Sequence, residues 1–135
     1  MYSGVINFEE IGKKTLELTN VQRRAKGLKD LQWDSDLYKI AESHSKQMAD
    51  GTVQFGHQGI NDRFKKIPFP TTVNTENVAY HDYRRDPAEM ALKIWINTEG
   101  NLRNMLGPYT HAGVGVAKSN KGEYFFTQLI SCKSP

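Results

Sequence analysis

The hydrophobic period changes along this chain, and that change restricts the fold more than any other feature. In the first two thirds apolar residues recur at three- and four-residue steps. In the last third they alternate or run together. Residues 5–26 carry Ile11, Thr15, Leu18, Val21 or Gln22, and Ala25 on one stripe, with Lys, Arg and Glu between them and Gly27 as a stop. A short link, Leu28 to Trp33, holds two apolar anchors, Leu31 and Trp33. Asp34, Ser35 or Asp36 can then cap a second helix whose apolar face is Leu37, Ile40, Ala41, His44 and Met48. That helix ends at Asp50-Gly51. Asp86-Pro87-Ala88-Glu89 starts a third, with Asp86 as cap, Pro87 at the first helical position and Glu89 closing a capping box. Ala88, Ala91, Ile94 or Trp95, and Thr98 follow at helical spacing, and Gly100 ends the run.

Between the helices the pattern is broken. Gly51, Gly56, Gly59, Pro68 and Pro70 forbid a long element over residues 51–72. One helical turn fits Asn61–Lys66, and Glu76–Tyr80 reads as a short strand or a bend. At the end of the chain Val114 and Val116 alternate with small residues. Ser119-Asn120-Lys121-Gly122 is turn chemistry, and Tyr124–Ile130 is aromatic and β-branched. The spacing therefore predicts helices first and a β-hairpin last, an α+β chain rather than a βαβ one.

Composition narrows the function classes. With 135 residues, 38% hydrophobic and 24% charged, the chain is the size of one domain and is neither a disordered tail nor a coiled coil. No apolar run approaches the roughly 20 residues that cross a bilayer. The net charge is +3, and the basic pairs Lys13-Lys14, Arg23-Arg24, Lys65-Lys66 and Arg84-Arg85 are scattered, so no phosphate-binding stripe forms and no nucleic-acid partner is expected. The one cysteine, Cys132, allows no disulfide within the chain and reads as a small half-buried residue. Glu9, Glu10, Lys13, Lys14 and Glu17 interrupt residues 1–20, which lack the layout of a secretory leader. The expected alternatives are a cytosolic protein or a mature fragment whose leader has been removed.

Four histidines carry most of the chemistry available. His57 lies in Phe55-Gly56-His57-Gln58-Gly59, a glycine-flanked loop that leaves an imidazole accessible. Glu76 follows in another irregular stretch, and a histidine and a glutamate on separate loops can form a hydrogen-bonded pair or half of a metal site. His44, on an apolar helix face, reads as a satisfied core histidine. His81, beside Asp82 and Arg84, reads as solvated surface, and His111 as a packing or edge residue. Asn20 and Arg23 read as side chains tying the first helix to loops, and Trp33 and Trp95 as core.

A series of segments in fixed order adds to this. It runs Asn20-x-x-Arg23-x-Ala25, Leu31-x-Trp33 with Leu37, Ala41, His44-Ser45 and Met48-Ala49, then His57-x-Gly59 with Arg63. Glu76-Asn77-Val78-Ala79-Tyr80, Trp95-Ile96-Asn97-Thr98 and Arg103-Asn104-Met105-Leu106 come next. His111-x-Gly113-Val114-Gly115-Val116 and Tyr124-x-Phe126-Thr127-Gln128 complete it. This resembles the CAP superfamily (cysteine-rich secretory proteins, antigen 5, pathogenesis-related 1), or SCP domain, in its short, cysteine-poor microbial branch. The resemblance covers residues 8–131, the core of a single domain spanning 1–135. It implies a three-layer α-β-α sandwich around a small antiparallel sheet.

The resemblance also implies a central cleft lined by two histidines and two acidic residues, which in some members holds zinc or another divalent ion. His57 matches the first histidine and Glu76 the first glutamate. Thr98 stands at the second glutamate and Leu102 at the second histidine. Leucine cannot ligate a metal and threonine is a poor zinc ligand, so His57 and Glu76 remain as candidate ligands and no metal cofactor is expected. The first expectation is a non-catalytic, secreted or surface binding module. Its cleft, lined by His57, Glu76, Thr98 and Leu102, would accept a small lipid, sterol or peptide, the leucine making the floor more apolar. The second is a hydrolase of the peptidase kind, with His57 as base and Glu76 as its orienting carboxylate. The third is an interaction effector acting through loops 51–75 and 81–86.

Overall fold

The computed structural model describes residues 5–135; the part of the 1–135 domain and of the leader reading that rests on residues 1–4 lies outside them. In chain order the elements are α1 (Phe8–Ala25), β1 (Gln32–Trp33), α2 (Ser35–Ala49), α3 (Ile60–Lys65), β2 (Thr71–His81), α4 (Pro87–Ile96), α5 (Glu99–Met105), β3 (His111–Lys118) and β4 (Tyr124–Lys133). The caps follow side-chain chemistry. Asn7 accepts from the Glu10 N–H, so α1 starts at Phe8 rather than at residue 5. Asp34 accepts from the Asp36 and Leu37 N–H groups, and Asp86 from that of Glu89.

The strands form one four-stranded sheet in the order β1-β3-β4-β2. The β3–β4 and β4–β2 pairings are antiparallel, whereas β1 joins β3 in parallel. The sheet is therefore mixed, and the link before Trp33 supplies its first strand. Opposed residues share a face, so the register sorts the side chains. Val114, Val116, Phe126 and Ile130 face the layer of α1 and α4 and build the larger core with Trp95 and Met105. Gly113, Gly115, Thr127 and Leu129 face α2.

Close approach explains two of these glycines. A Cβ on Gly113 would strike the backbone of Tyr38, and one on Gly115 the backbone of Glu42. Helix α2 thus lies directly on β3. Gly12 of α1 meets the Val114 carbonyl from the other side in the same way.

Two elements differ from the sequence expectation. β2 is an 11-residue strand, not a short piece at Glu76–Tyr80, because its first half, Thr71–Thr75, buries no residue fully and has Val73 as its one apolar residue, so no alternation reveals it. The third helix does not run to Gly100. Asn97 closes α4, its N–H donating to the Lys93 carbonyl and that of Thr98 to the Trp95 carbonyl, and α5 then begins at Glu99 with Gly100 inside it. Trp95 ties α4 to the sheet by donating its indole N–H to the Val78 carbonyl.

Candidate functional site

Glu76 stands opposite Leu129 and therefore faces the α2 side of the sheet. Its side chain is fully buried. A carboxylate withdrawn from water is tolerated only with strong partners. Arg63 of α3 supplies them in a bidentate clasp, with Nε donating to Oε2 at 2.6 Å and Nη2 to Oε1 at 2.7 Å. His57 Nδ1 donates to the same Oε1 at 2.8 Å. The loop that brings it there turns at Gly59, the left-handed N-cap of α3 (φ 78°).

Arg63 also organises the other side. Its Nη1 donates to the Gln58 carbonyl at 2.6 Å and to His44 Nδ1 at 3.1 Å. His44 Nε2 donates to the Gly56 carbonyl at 2.7 Å. With one ring nitrogen donating and the other accepting, His44 is held as the neutral Nε2–H tautomer. Burial pushes its pKa below the usual value, the Arg63 charge acting the same way and the Gly56 carbonyl opposing them. His44 is thus a satisfied buried histidine that holds the 56–58 loop in place.

The result is a chain from α2 through α3 to β2 that ends at a half-exposed imidazole. His57 keeps Nδ1 on Glu76, and its Nε2 makes no hydrogen bond among the described residues. A cavity of about 270 Å³ opens beside Arg63, lined by Ile40, Ser43, His44, Gln47, Gln58 and Lys66 among others. Its wall is mixed, with Ile40 and Val53 among polar and charged side chains.

Thr98 and Leu102 are not brought to this centre. Thr98 Oγ1 donates to the Ile94 carbonyl, and the residue stands exposed at the start of α5. Leu102 packs against the core that α1 and α4 share with the sheet, on the face away from Glu76. The apolar floor expected of Leu102 is therefore absent from the His57 site. The side chains of α5 that reach β2 are Asn101 and Asn104, and Asn101 Nδ2 donates to Asn77 Oδ1 at 2.8 Å. Asn104 donates to the same oxygen, and Asn77 donates to Gln128. Gln128 in turn donates to Thr19 of α1. Sequence reasoning missed this buried amide network; the nearest signal was the recurrence of Asn and Gln within the ordered segments.

His81 also differs from expectation. It is half-buried and stacked on Phe126, with Nε2 donating to the Pro87 carbonyl and Nδ1 accepting the Tyr83 N–H. Arg23 and Asn20 do tie α1 to loops. Asn20 exchanges two hydrogen bonds with Leu31, and Arg23 donates to the Lys29, Met105, Gly107 and Tyr109 carbonyls.

The donor set does not fit a zinc site. Among the described residues no three His, Cys, Asp or Glu side chains converge. Both oxygens of Glu76 already accept from Arg63, whose positive charge opposes a cation there.

Comparison with known proteins agrees with the fold. The model of the cysteine-rich secretory protein (CAP) family matches residues 16–130. The chain belongs to the CAP family. It is 38% identical over 124 residues to the uncharacterized protein YkwD of Bacillus subtilis (strain 168), a match covering 87% of this chain and 46% of that one. An extracellular protein containing an SCP domain from Bacillus anthracis str. Ames superposes with a TM-score of 0.80 at 28% identity, over 98% of this chain and 46% of that one. An outer surface protein from Borrelia burgdorferi shares the fold at a TM-score of 0.79 and 16% identity, over 96% of this chain and 97% of that one. This CAP chain thus spans less than half the length of the two Bacillus proteins. Among its described residues no helix is long and apolar enough to cross a membrane.

Proposed function

We propose that this CAP domain is a non-catalytic binding module of an extracellular or cell-surface protein, and that it takes a short peptide at the His57 imidazole and the cavity beside Arg63. The observation that carries this reading is the use of Glu76. Its carboxylate is engaged by Arg63 and His57, so it fixes an imidazole in one orientation rather than offering a free base. No hydroxyl or thiol hydrogen-bonds to His57 among the described residues, so a nucleophile is not in place. With its proton on Nδ1, the ring leaves Nε2 as an acceptor of fixed direction, which suits one hydrogen bond from a ligand amide N–H. Leu102, the residue expected to favour a lipid or sterol, packs on the far side of the sheet and does not line the cavity. The extracellular setting draws on relatives described as extracellular or outer-surface proteins.

The test is a short-peptide library offered to the whole chain, with bound and released species read by mass spectrometry. Intact peptides should be retained, and His57→Ala should lose them. Cleaved peptides that disappear in His57→Ala would replace this reading with the hydrolase one. Retention that survives His57→Ala but is lost on exchanging residues 60–72 would move recognition to the loops.

A further inference from the structure

A second cavity, of about 670 Å³, opens between the last turn of α2 and the β3–β4 hairpin. It shares no side chain with the His57 centre. Its floor is apolar, made by Met48, Ala117 and Phe125. The floor continues outward as an aromatic step. Tyr80 stacks on Phe125 with ring centroids 5.4 Å apart, and Phe55 stands edge-on to Tyr80 at 4.8 Å. Phe55 is 45% exposed and Tyr80 48%, two large rings left half in water side by side.

The rim carries both signs of charge, with Lys46, Lys118 and Lys121 facing Asp50 and Glu123. Much of its hydrogen-bonding capacity is uncommitted. Asp50 uses only Oδ1, on Thr52, and Glu123 uses only Oε1, on Ser119. Among the described residues the Asn120 amide and the Lys121 ammonium have no hydrogen-bond or ion-pair partner.

This combination selects a ligand chemistry. A polyanion would meet Asp50 and Glu123. An acyl chain would strip water from the rim charges and return nothing to them. A sugar ring offers C–H faces that pack on aromatic rings and hydroxyls that both donate and accept, which a rim of mixed donors and acceptors can satisfy. We propose that this groove binds a neutral oligosaccharide, one ring lying on Tyr80 and Phe55 and the next reaching Asp50, Asn120, Lys121 and Glu123. Its occupation does not depend on a peptide at His57.

The experiment titrates the whole chain, labelled with nitrogen-15, with chitotetraose and maltotetraose while amide shifts are followed. At least one of the two should move Gly51, Ala117, Asn120 and Lys121 saturably. Tyr80→Leu keeps the apolar bulk but loses the flat ring, and it should weaken binding about tenfold or more while the amide spectrum away from the groove stays that of the folded parent. Asn120→Ala, at an exposed position, should weaken it too. Three results would overturn the proposal. Neither sugar shifts these amides at millimolar concentration, or Tyr80→Leu and Asn120→Ala both bind like the parent. The third is that tetraglutamate or laurate occupies the groove and both sugars leave it untouched.

Discussion

Two arginines are buried in this domain, and they are buried for different reasons. Arg23 of α1 faces no carboxylate in direct contact. Its guanidinium is spread over backbone carbonyls of Lys29, Met105, Gly107 and Tyr109, and burial lowers its pKa, Asp30 opposing that. Arg63 of α3 instead meets a fully buried carboxylate, with histidines on either side. The first arrangement joins three stretches of chain and ends there. The second also joins three, α2, α3 and β2, yet passes the charge pair on to an imidazole at the surface. Burial of a charge is therefore no mark of function by itself. What separates the two is whether the network reaches solvent through a group that can bind.

Breaking each arginine's partner set should show the difference. Glu76→Ala leaves Arg63 without its anion and frees His57, and should cost about 3–5 kcal/mol in chemical denaturation, because an uncompensated buried charge remains. Arg23→Met keeps apolar bulk but leaves several carbonyls without a donor, at about 2–3 kcal/mol. The larger loss should come from Glu76→Ala; the reverse order would show that the carbonyl cage is the stronger clasp. Acidification sharpens the contrast further. His44 has its pKa lowered by burial, so folded protein prefers it neutral and the unfolded chain binds the proton more readily. Its stabilisation is complete above the ordinary histidine value of about 6.5 and is lost as the pH falls toward the folded-state pKa. His81 and His111 titrate in the same sense, again through burial first. Denaturation midpoints measured down a pH series should therefore fall below that value, and His44→Gln should flatten the fall in part. Arg103, whose pair with Glu99 is exposed on α5, sets the baseline: Arg103→Ala should leave the midpoint unmoved.

Much of the fold was legible because it is local. The stripes of α1 and α2, the caps Asp34 and Asp86 and the terminal hairpin are each encoded within a few residues of themselves. The first half of β2 was not, since an exposed edge strand needs no alternation, nor was β1, which is two residues long and defined by its partner. His57 and Glu76 stood out as an imidazole and a carboxylate on separate loops, and the order of segments then put them in one cleft. Arg63 was in view as a segment residue, but its clasp on Glu76 spans 13 positions and only the folded chain reveals it. Leu102 was misplaced because a position matched by motif says nothing about which face of a short helix meets the core. His81 was read from charged neighbours in sequence, whereas its neighbours in space are aromatic rings.

Where α2 crosses β3 at Gly113 and Gly115, helix and strand touch skeleton to skeleton, with no cushion of side chains between them. With Gly12 of α1 pressed on Val114 from behind, β3 is gripped like a plate in a vice. Sideways drift of the helix over the sheet would have to jump a whole rung rather than creep. Since His44 rides on α2 and Glu76 on the same sheet, the aim of the imidazole at 57 is inherited from that grip, and its precision is set far from the residue that uses it.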